Sequence, residues 1–153
     1  MTLEIIPFEP RYARLFKSLN QKWIEKFFVV EPMDIALLDD CQQSIIDIGG
    51  FIFFAKYQKA IVGCFALIPH ENGCELGKMA VDDRFQGLKI GQELLSFAIA
   101  FAKKQGWEKI ILYSSRKLHS ALHIYKKYGF NEVAIEKNSV YARSDIKMEL
   151  ELY

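Results

Sequence analysis

The sequence predicts a mixed α/β fold, an α+β arrangement with a mostly antiparallel seven-stranded sheet flanked by about four helices. Three observations carry that prediction. Hydrophobic spacing switches between helical and strand period several times along the chain. The strand-like runs in the middle are joined by connections so short that they imply antiparallel neighbours. No internal repeat, low-complexity run or Pro/Gly/Ser-rich linker divides the chain, so residues 1–153 read as a single domain.

The element order is β-α-α-β-β-β-α-β-α-β-β. Leu3 to Phe8 is a short β-type run closed by Pro7 and Pro10. Arg11 to Phe28 carries Tyr12, Leu15, Phe16, Leu19, Trp23 and Phe27 at helical spacing, the stripe expected to face the core. A second helix follows Glu31-Pro32, with Ile35, Leu37, Leu38 and Ile45 as its apolar positions and Gly49-Gly50 as its stop. Three runs rich in aromatic and β-branched residues come next: Phe51 to Tyr57, Ala60 to Ile68 and Cys74 to Val81. Gln58-Lys59 and His70 to Gly73 are the turns between them.

Helical period returns over Ile90 to Lys104, with Gly91, Leu94, Leu95, Ala98 and Ala102 on one stripe and Gly106 past its end. Lys109 to Tyr113 is a strand. Leu118, Ala121, Leu122 and Tyr125 mark a last helix ending at Tyr128-Gly129, and Phe130 to Ile135 and Ile146 to Leu152 close the sheet. The last run alternates apolar and charged residues, as a strand solvated on one side does.

Composition narrows the function classes. Hydrophobic residues make up 51% and charged residues 25%, and the formal charge is +1, which excludes a disordered chain and a strongly basic nucleic-acid footprint. The apolar stretch Ile61 to Pro69 is too short to span a bilayer, and Met1 to Ile6 lacks the basic region of a secretory signal, so a cytoplasmic protein without membrane partners is expected. Cys41, Cys64 and Cys74 are odd in number and have no Cys-x-x-Cys spacing, which reads as reduced thiols. No metal is expected: His119 and His123 are four apart, but Ser120 stands where a zinc protease would have glutamate, and both histidines belong to a solvated helix face.

The segment from Met79 to Gln92 is a strand running through a glycine-containing loop into a helix. Amides that begin a helix have no intrahelical partner, and the helix dipole adds partial positive charge there, so a phosphate or pyrophosphate is the natural ligand. Gly87 and Gly91 let the chain come close to it. The loop has neither the Gly-Lys-Ser/Thr ending of a nucleotide P-loop nor the Gly-x-Gly-x-x-Gly of a dinucleotide fold.

Gln86-Gly87-Leu88-Lys89-Ile90-Gly91 resembles the Gln/Arg-x-x-Gly-x-Gly/Ala signature of the GCN5-related N-acetyltransferases, with Lys89 in place of the first glycine. Downstream, Ala121-Leu122-His123-Ile124-Tyr125-Lys126-Lys127-Tyr128-Gly129-Phe130 resembles their Ala-x-x-Leu-Tyr-x-x-x-Gly-Phe signature. The resemblance implies acetyl-CoA as cosubstrate, held by Met79, Ala80, Val81, Gln86, Gly87, Leu88, Lys89, Ile90, Gly91 and Gln92. It implies that the pantetheine arm pairs with the backbone of Met79 and Val81, and that a main-chain N–H, that of Val81, faces the thioester oxygen. It also makes Tyr125 the acid for the departing thiolate, the other reading of Tyr125 being a core aromatic. Leu118 replaces an asparagine, and Tyr113 a glutamate, that relatives carry.

An amine must lose a proton before it attacks. Glu75 is the candidate base, because alternation puts it on one face with Gly77, Met79 and Val81; a water chain and a hydrated strand-edge charge are the other readings. On the acceptor side, Phe28, Glu31, Tyr141 and Arg143 are the binding candidates, Glu31 with Asp34 as carboxylates suited to an amine and Tyr141 with Arg143 for an acceptor's carboxylate or phosphate, while Trp23 and Phe27 are assigned to the core. The expected activity is acetyl transfer to a primary amine of a small molecule in a ternary complex. The alternatives are acetylation of a protein N-terminus or lysine, and a non-catalytic acyl-CoA sensor or interaction domain. The sequence leaves the oligomeric state, a homodimer included, open.

Overall fold

The computed structural model describes residues 3–138 and 141–153. In chain order the elements are β1 (Leu3–Pro7), α1 (Ala13–Phe27), α2 (Pro32–Asp39), β2 (Phe51–Tyr57), β3 (Ala60–His70), β4 (Gly73–Val81), α3 (Ile90–Lys104), β5 (Lys109–Ser114), α4 (His119–Lys127), β6 (Asn131–Val133) and β7 (Ile146–Glu151). The strands form one seven-stranded sheet in the order β1-β2-β3-β4-β5-β7-β6. Every pairing is antiparallel except β4 with β5. The two central turns follow their chemistry. Gln58 and Lys59 both have positive φ, 48° and 71°, the twist that suits a two-residue hairpin, and Glu71 at 46° begins the next one.

The sheet separates two cores. On one side Leu94, Leu95, Ala98 and Ala102 of α3 pack on Phe53, Phe65, Leu67 and Leu112, with Tyr125 and Leu122 of α4 at the margin. Rings of Phe51, Phe53, Phe97, Phe101 and Trp107 gather at one end, Phe51 and Phe101 at 4.7 Å between centroids. On the other side Phe16 and Ile24 of α1 and Leu38 of α2 cover Ile52, Phe54, Cys64 and Ala80.

Three expectations about local structure are corrected. The buried line of α1 is Phe16, Asn20 and Ile24, while Leu15 and Phe27 of the expected stripe are exposed. A polar Asn20 at a core position hid the true face from the apolar pattern. The second helix does not run through to Gly49-Gly50: it ends at Asp39, the carboxylate of the next residue, Asp40, accepts from the Gln43 amide, and a π turn over Gln42–Ile46 follows. The strand expected from Phe130 to Ile135 pairs only over Asn131–Val133.

The sheet's decisive irregularity lies in β4. Its pairing with β3 jumps from Ala66↔Gly77 to Cys64↔Ala80, so one extra residue is accommodated at Lys78, whose φ is +52°. An inserted residue exchanges the faces of all that follow. Glu75 and Gly77 therefore share the α1 side with Ala80, whereas Met79 and Val81 lie with the α3 core. This corrects the expectation that Glu75 shares a face with Met79 and Val81. With β5, β4 pairs only at Cys74↔Ile110 and Glu75↔Ile111, after which the two parallel strands diverge.

Candidate active site

The divergence of β4 from β5 opens the sheet where both strands end, and two cavities meet there. The larger, about 860 Å³, runs along Met79, Ala80 and Val81 to Gln86, Gly87, Lys89, Ile90, Gly91 and Gln92. Leu88 of the same loop points outside this lining and is 38% exposed. The smaller, about 150 Å³, lies on the α1 side and is lined by Asn20, Phe28, Glu75, Lys78, Tyr141 and Arg143 among others. Trp23, Met79, Leu118, Ala121 and Tyr125 belong to both walls.

The loop is built to present amides. Asp82 caps a short turn by accepting from the Arg84 amide at 3.0 Å, and its own N–H bonds Val62 O at 2.8 Å, which fixes where the chain leaves β4. Gly87 then takes a left-handed conformation (φ +81°), as does Lys89 (φ +60°), the residue before α3. The signature's first glycine thus falls where the backbone is left-handed, and Lys89 adopts that conformation without being glycine. Among the described residues, no backbone or side-chain acceptor meets the amides of Gly87 through Gln92. A Cβ placed on Gly87 or Gly91 would meet nothing within 4 Å, so the surface in front of these amides is open.

Tyr125 projects from α4 into the junction of the cavities, its ring 5.8 Å from that of Phe130. Burial pushes its hydroxyl up to about 12, so it remains protonated throughout the neutral range. Its hydroxyl has no protein hydrogen bond among the described residues. Glu75 stands in the smaller cavity. Burial raises its carboxyl above the ordinary 4.5, with His70 and Lys78 acting in the opposite direction. Tyr113, also in that wall, donates to Glu136 at 2.8 Å.

The other candidates fall on the acceptor side in different ways. Phe28, Tyr141 and Arg143 line the smaller cavity; Glu31 does not. Glu31 instead accepts from the Ala142 amide at 2.9 Å and from Arg143 at 3.3 Å, tying the segment before β7 to the start of α2. Arg143 is further engaged by Asp34, with both contacts at 2.7 Å, so an acceptor carboxylate would compete with two internal ones. Trp23, assigned to the core, belongs to both cavity walls.

The sequence reading offers Asp34 as a carboxylate for an amine, whereas the structure commits it to Lys78 and Arg143, and Lys78 itself was missed. Asp34, 0% exposed, receives Lys78 Nζ at 2.7 Å on Oδ1, where Arg143 also bonds, and the Glu31 amide at 2.8 Å on Oδ2. Burial alone would raise its carboxyl, but the hydrogen bonds from Arg143 and Lys78 hold it at about 2. The one available signal was an aspartate inside the apolar run Met33-Asp34-Ile35-Ala36-Leu37-Leu38. Removing one charge strands the others: Asp34→Asn is expected to destabilise the fold by about 3–5 kcal/mol in urea unfolding at pH 7. Because the folded pKa is depressed, this contribution is complete above the unfolded value of 3.8 and is lost as pH falls through about 2.

Residues 49–132 match the family model described as Acetyltransferase (GNAT) domain. Human N-acetyltransferase 8B is 26% identical over 121 residues, which cover 72% of this chain and 53% of that protein. A GNAT-family acetyltransferase from Staphylococcus aureus superposes with a TM-score of 0.87 at 24% identity, covering 99% of this chain and 100% of that one. PaiA N-acetyltransferase from Thermoplasma acidophilum, solved in complex with coenzyme A, superposes with a TM-score of 0.75 at 19% identity, covering 99% of both chains. The chain spans about half or less of the length of the curated relatives it matches first.

Proposed function

Since the chain belongs to the GNAT acetyltransferase family, we propose that it transfers acetyl from acetyl-CoA to a primary amine of a small molecule by direct attack in a ternary complex. The observation that carries this reading is the junction of two cavities at Tyr125 and Met79, one faced by free amides and the other holding a buried carboxylate. The coenzyme of the Thermoplasma acidophilum relative supports the same choice of cosubstrate.

The loop suits a diphosphate. Its amides from Gly87 to Gln92 lack partners among the described residues, α3 adds its dipole, and the absent Cβ atoms of Gly87 and Gly91 leave room for the anion. Met79, Ala80 and Val81 supply the strand edge that β5 has left, on which an extended arm can pair. The coenzyme supplies an activated thioester. Glu75 takes the proton from the attacking ammonium, directly or through water. The Val81 N–H steadies the negative charge developing on the carbonyl oxygen. As the carbonyl re-forms and the C–S bond breaks, the Tyr125 hydroxyl donates a hydrogen bond to the departing thiolate. Any proton it passes to sulfur is replaced by the second proton that the acylated nitrogen must lose, so the buried phenol, held at about 12, ends the cycle protonated.

Size favours a small acceptor over a protein. A cavity of about 150 Å³ holds a group about as large as benzene. Its wall includes Tyr141 and Arg143, the latter bound to α2 through Glu31 and Asp34, so the acceptor side is walled by the segment before β7.

Two measurements test the reading. Acetyl-CoA at about a hundredfold over its Kd is expected to stabilise the fold by about 2.7 kcal/mol, or roughly 5–10 °C in melting temperature. No shift at millimolar ligand removes the cosubstrate assignment. Thiol release is then followed over polyamines, amino acids, aminoglycosides and N-terminal peptides. Turnover confined to peptides transfers the acceptor to protein, and binding without any turnover leaves a sensor domain.

A further inference from the structure

We infer that Asn20 is an acceptor-binding residue, its amide oxygen receiving an N–H of the amine. The inference rests on the proposed reaction and adds to it a residue that holds the nucleophile.

Asn20 occupies the middle of the buried line of α1 and is only 1% exposed, yet it lines the smaller cavity together with Glu75. Its orientation is determined by its donors. Nδ2 gives one hydrogen to Phe16 O at 2.9 Å and the other to Cys64 Sγ at 3.4 Å. The reversed amide would set its oxygen against the Phe16 carbonyl, two acceptors face to face. Cys64 in turn donates to Lys78 O at 3.5 Å, so the thiol's hydrogen is spent on the β4 bulge and its lone pair is left for Asn20. Burial pushes this thiol up to about 12, which keeps it protonated for that task.

With both hydrogens committed, Oδ1 is the group left over. No donor among the described residues reaches it. The nearby cations are engaged elsewhere, Lys78 and Arg143 both on Asp34. Oδ1 is not among the fully buried polar atoms left without a partner, so the little exposure Asn20 keeps lies on the cavity it lines, where an entering N–H takes the place of water. A primary amine supplies that N–H in either protonation state. An amide suits this task better than a carboxylate, because a second anion would hold the ammonium in its charged form and oppose the proton transfer to Glu75.

The test compares steady-state constants for the best amine of the panel, measured on the 153-residue chain. Asn20→Leu keeps the side chain's branched shape, with more bulk, and withdraws the oxygen; Asn20→Ala withdraws it with a smaller group, should the leucine variant not fold. The expected result is an amine KM raised about tenfold, with the acetyl-CoA KM and the acetyl-CoA-induced melting shift unchanged. An unchanged amine KM overturns the inference, and so does an equal rise in both KM values, which marks a structural role. In both cases the acetyltransferase reading stands. If the parent acetylates no amine while coenzyme still binds, that reading falls and Asn20's role with it.

Discussion

Tyr125→Phe is expected to lower kcat by about 10²- to 10⁴-fold, the range for loss of a positioned acid, with the acetyl-CoA KM little changed. The substitution removes one oxygen and leaves the ring where it packs, 5.8 Å from Phe130. Because the hydroxyl has no hydrogen bond to other described residues, no internal partner is stranded and the melting temperature should hold. Acyl donors whose thiol leaves more readily should narrow the gap between mutant and parent, since they need the proton less. Equal rates for the two proteins with acetyl-CoA would end the acid role and return Tyr125 to the core.

Glu75→Gln should have a comparable effect on kcat/KM for the amine, about 10²-fold or more, and should also change its pH dependence. Burial raises the Glu75 carboxyl, so the fraction able to accept a proton grows as pH climbs through that raised value. The parent rate should rise over this interval, and the limb should vanish in the glutamine variant. Stability moves the other way. A carboxyl whose folded pKa is raised above its unfolded value of 4.5 favours the fold below that value and loses this as pH rises through the folded one. Glu75→Gln should therefore melt at the same temperature or higher at pH 7, which separates lost catalysis from lost structure. A surviving acidic limb in the variant would assign the base to water or another group.

The parts of the fold written in local chemistry were legible. β2 and the helix Ile90–Lys104 lie where period and flanking turns place them, because each is decided by its own apolar spacing and by Gln58-Lys59 or Gly106 at its end. The α1 face was not legible: a buried asparagine and an exposed Leu15 and Phe27 invert the usual correspondence between polarity and burial. The faces of β4 were misread because the bulge falls on Lys78, a residue that does not advertise a left-handed backbone. At the site, the loop and Tyr125 declare themselves as contiguous motifs. The Asp34 cluster does not, since its partners Lys78 and Arg143 stand 44 and 109 positions away and meet it only after the sheet has formed.

The parting of β4 and β5 has one more consequence. Naked strand borders on a protein's perimeter tempt foreign chains to add themselves and begin aggregates. Here the unmatched border of β4 lies in the interior of the sheet, between β3 on one flank and β5 with β7 on the other. Flanked on both sides by its own sheet, this border is kept from edge-to-edge pairing by the fold itself, without the Lys or Pro guards that an outer strand requires.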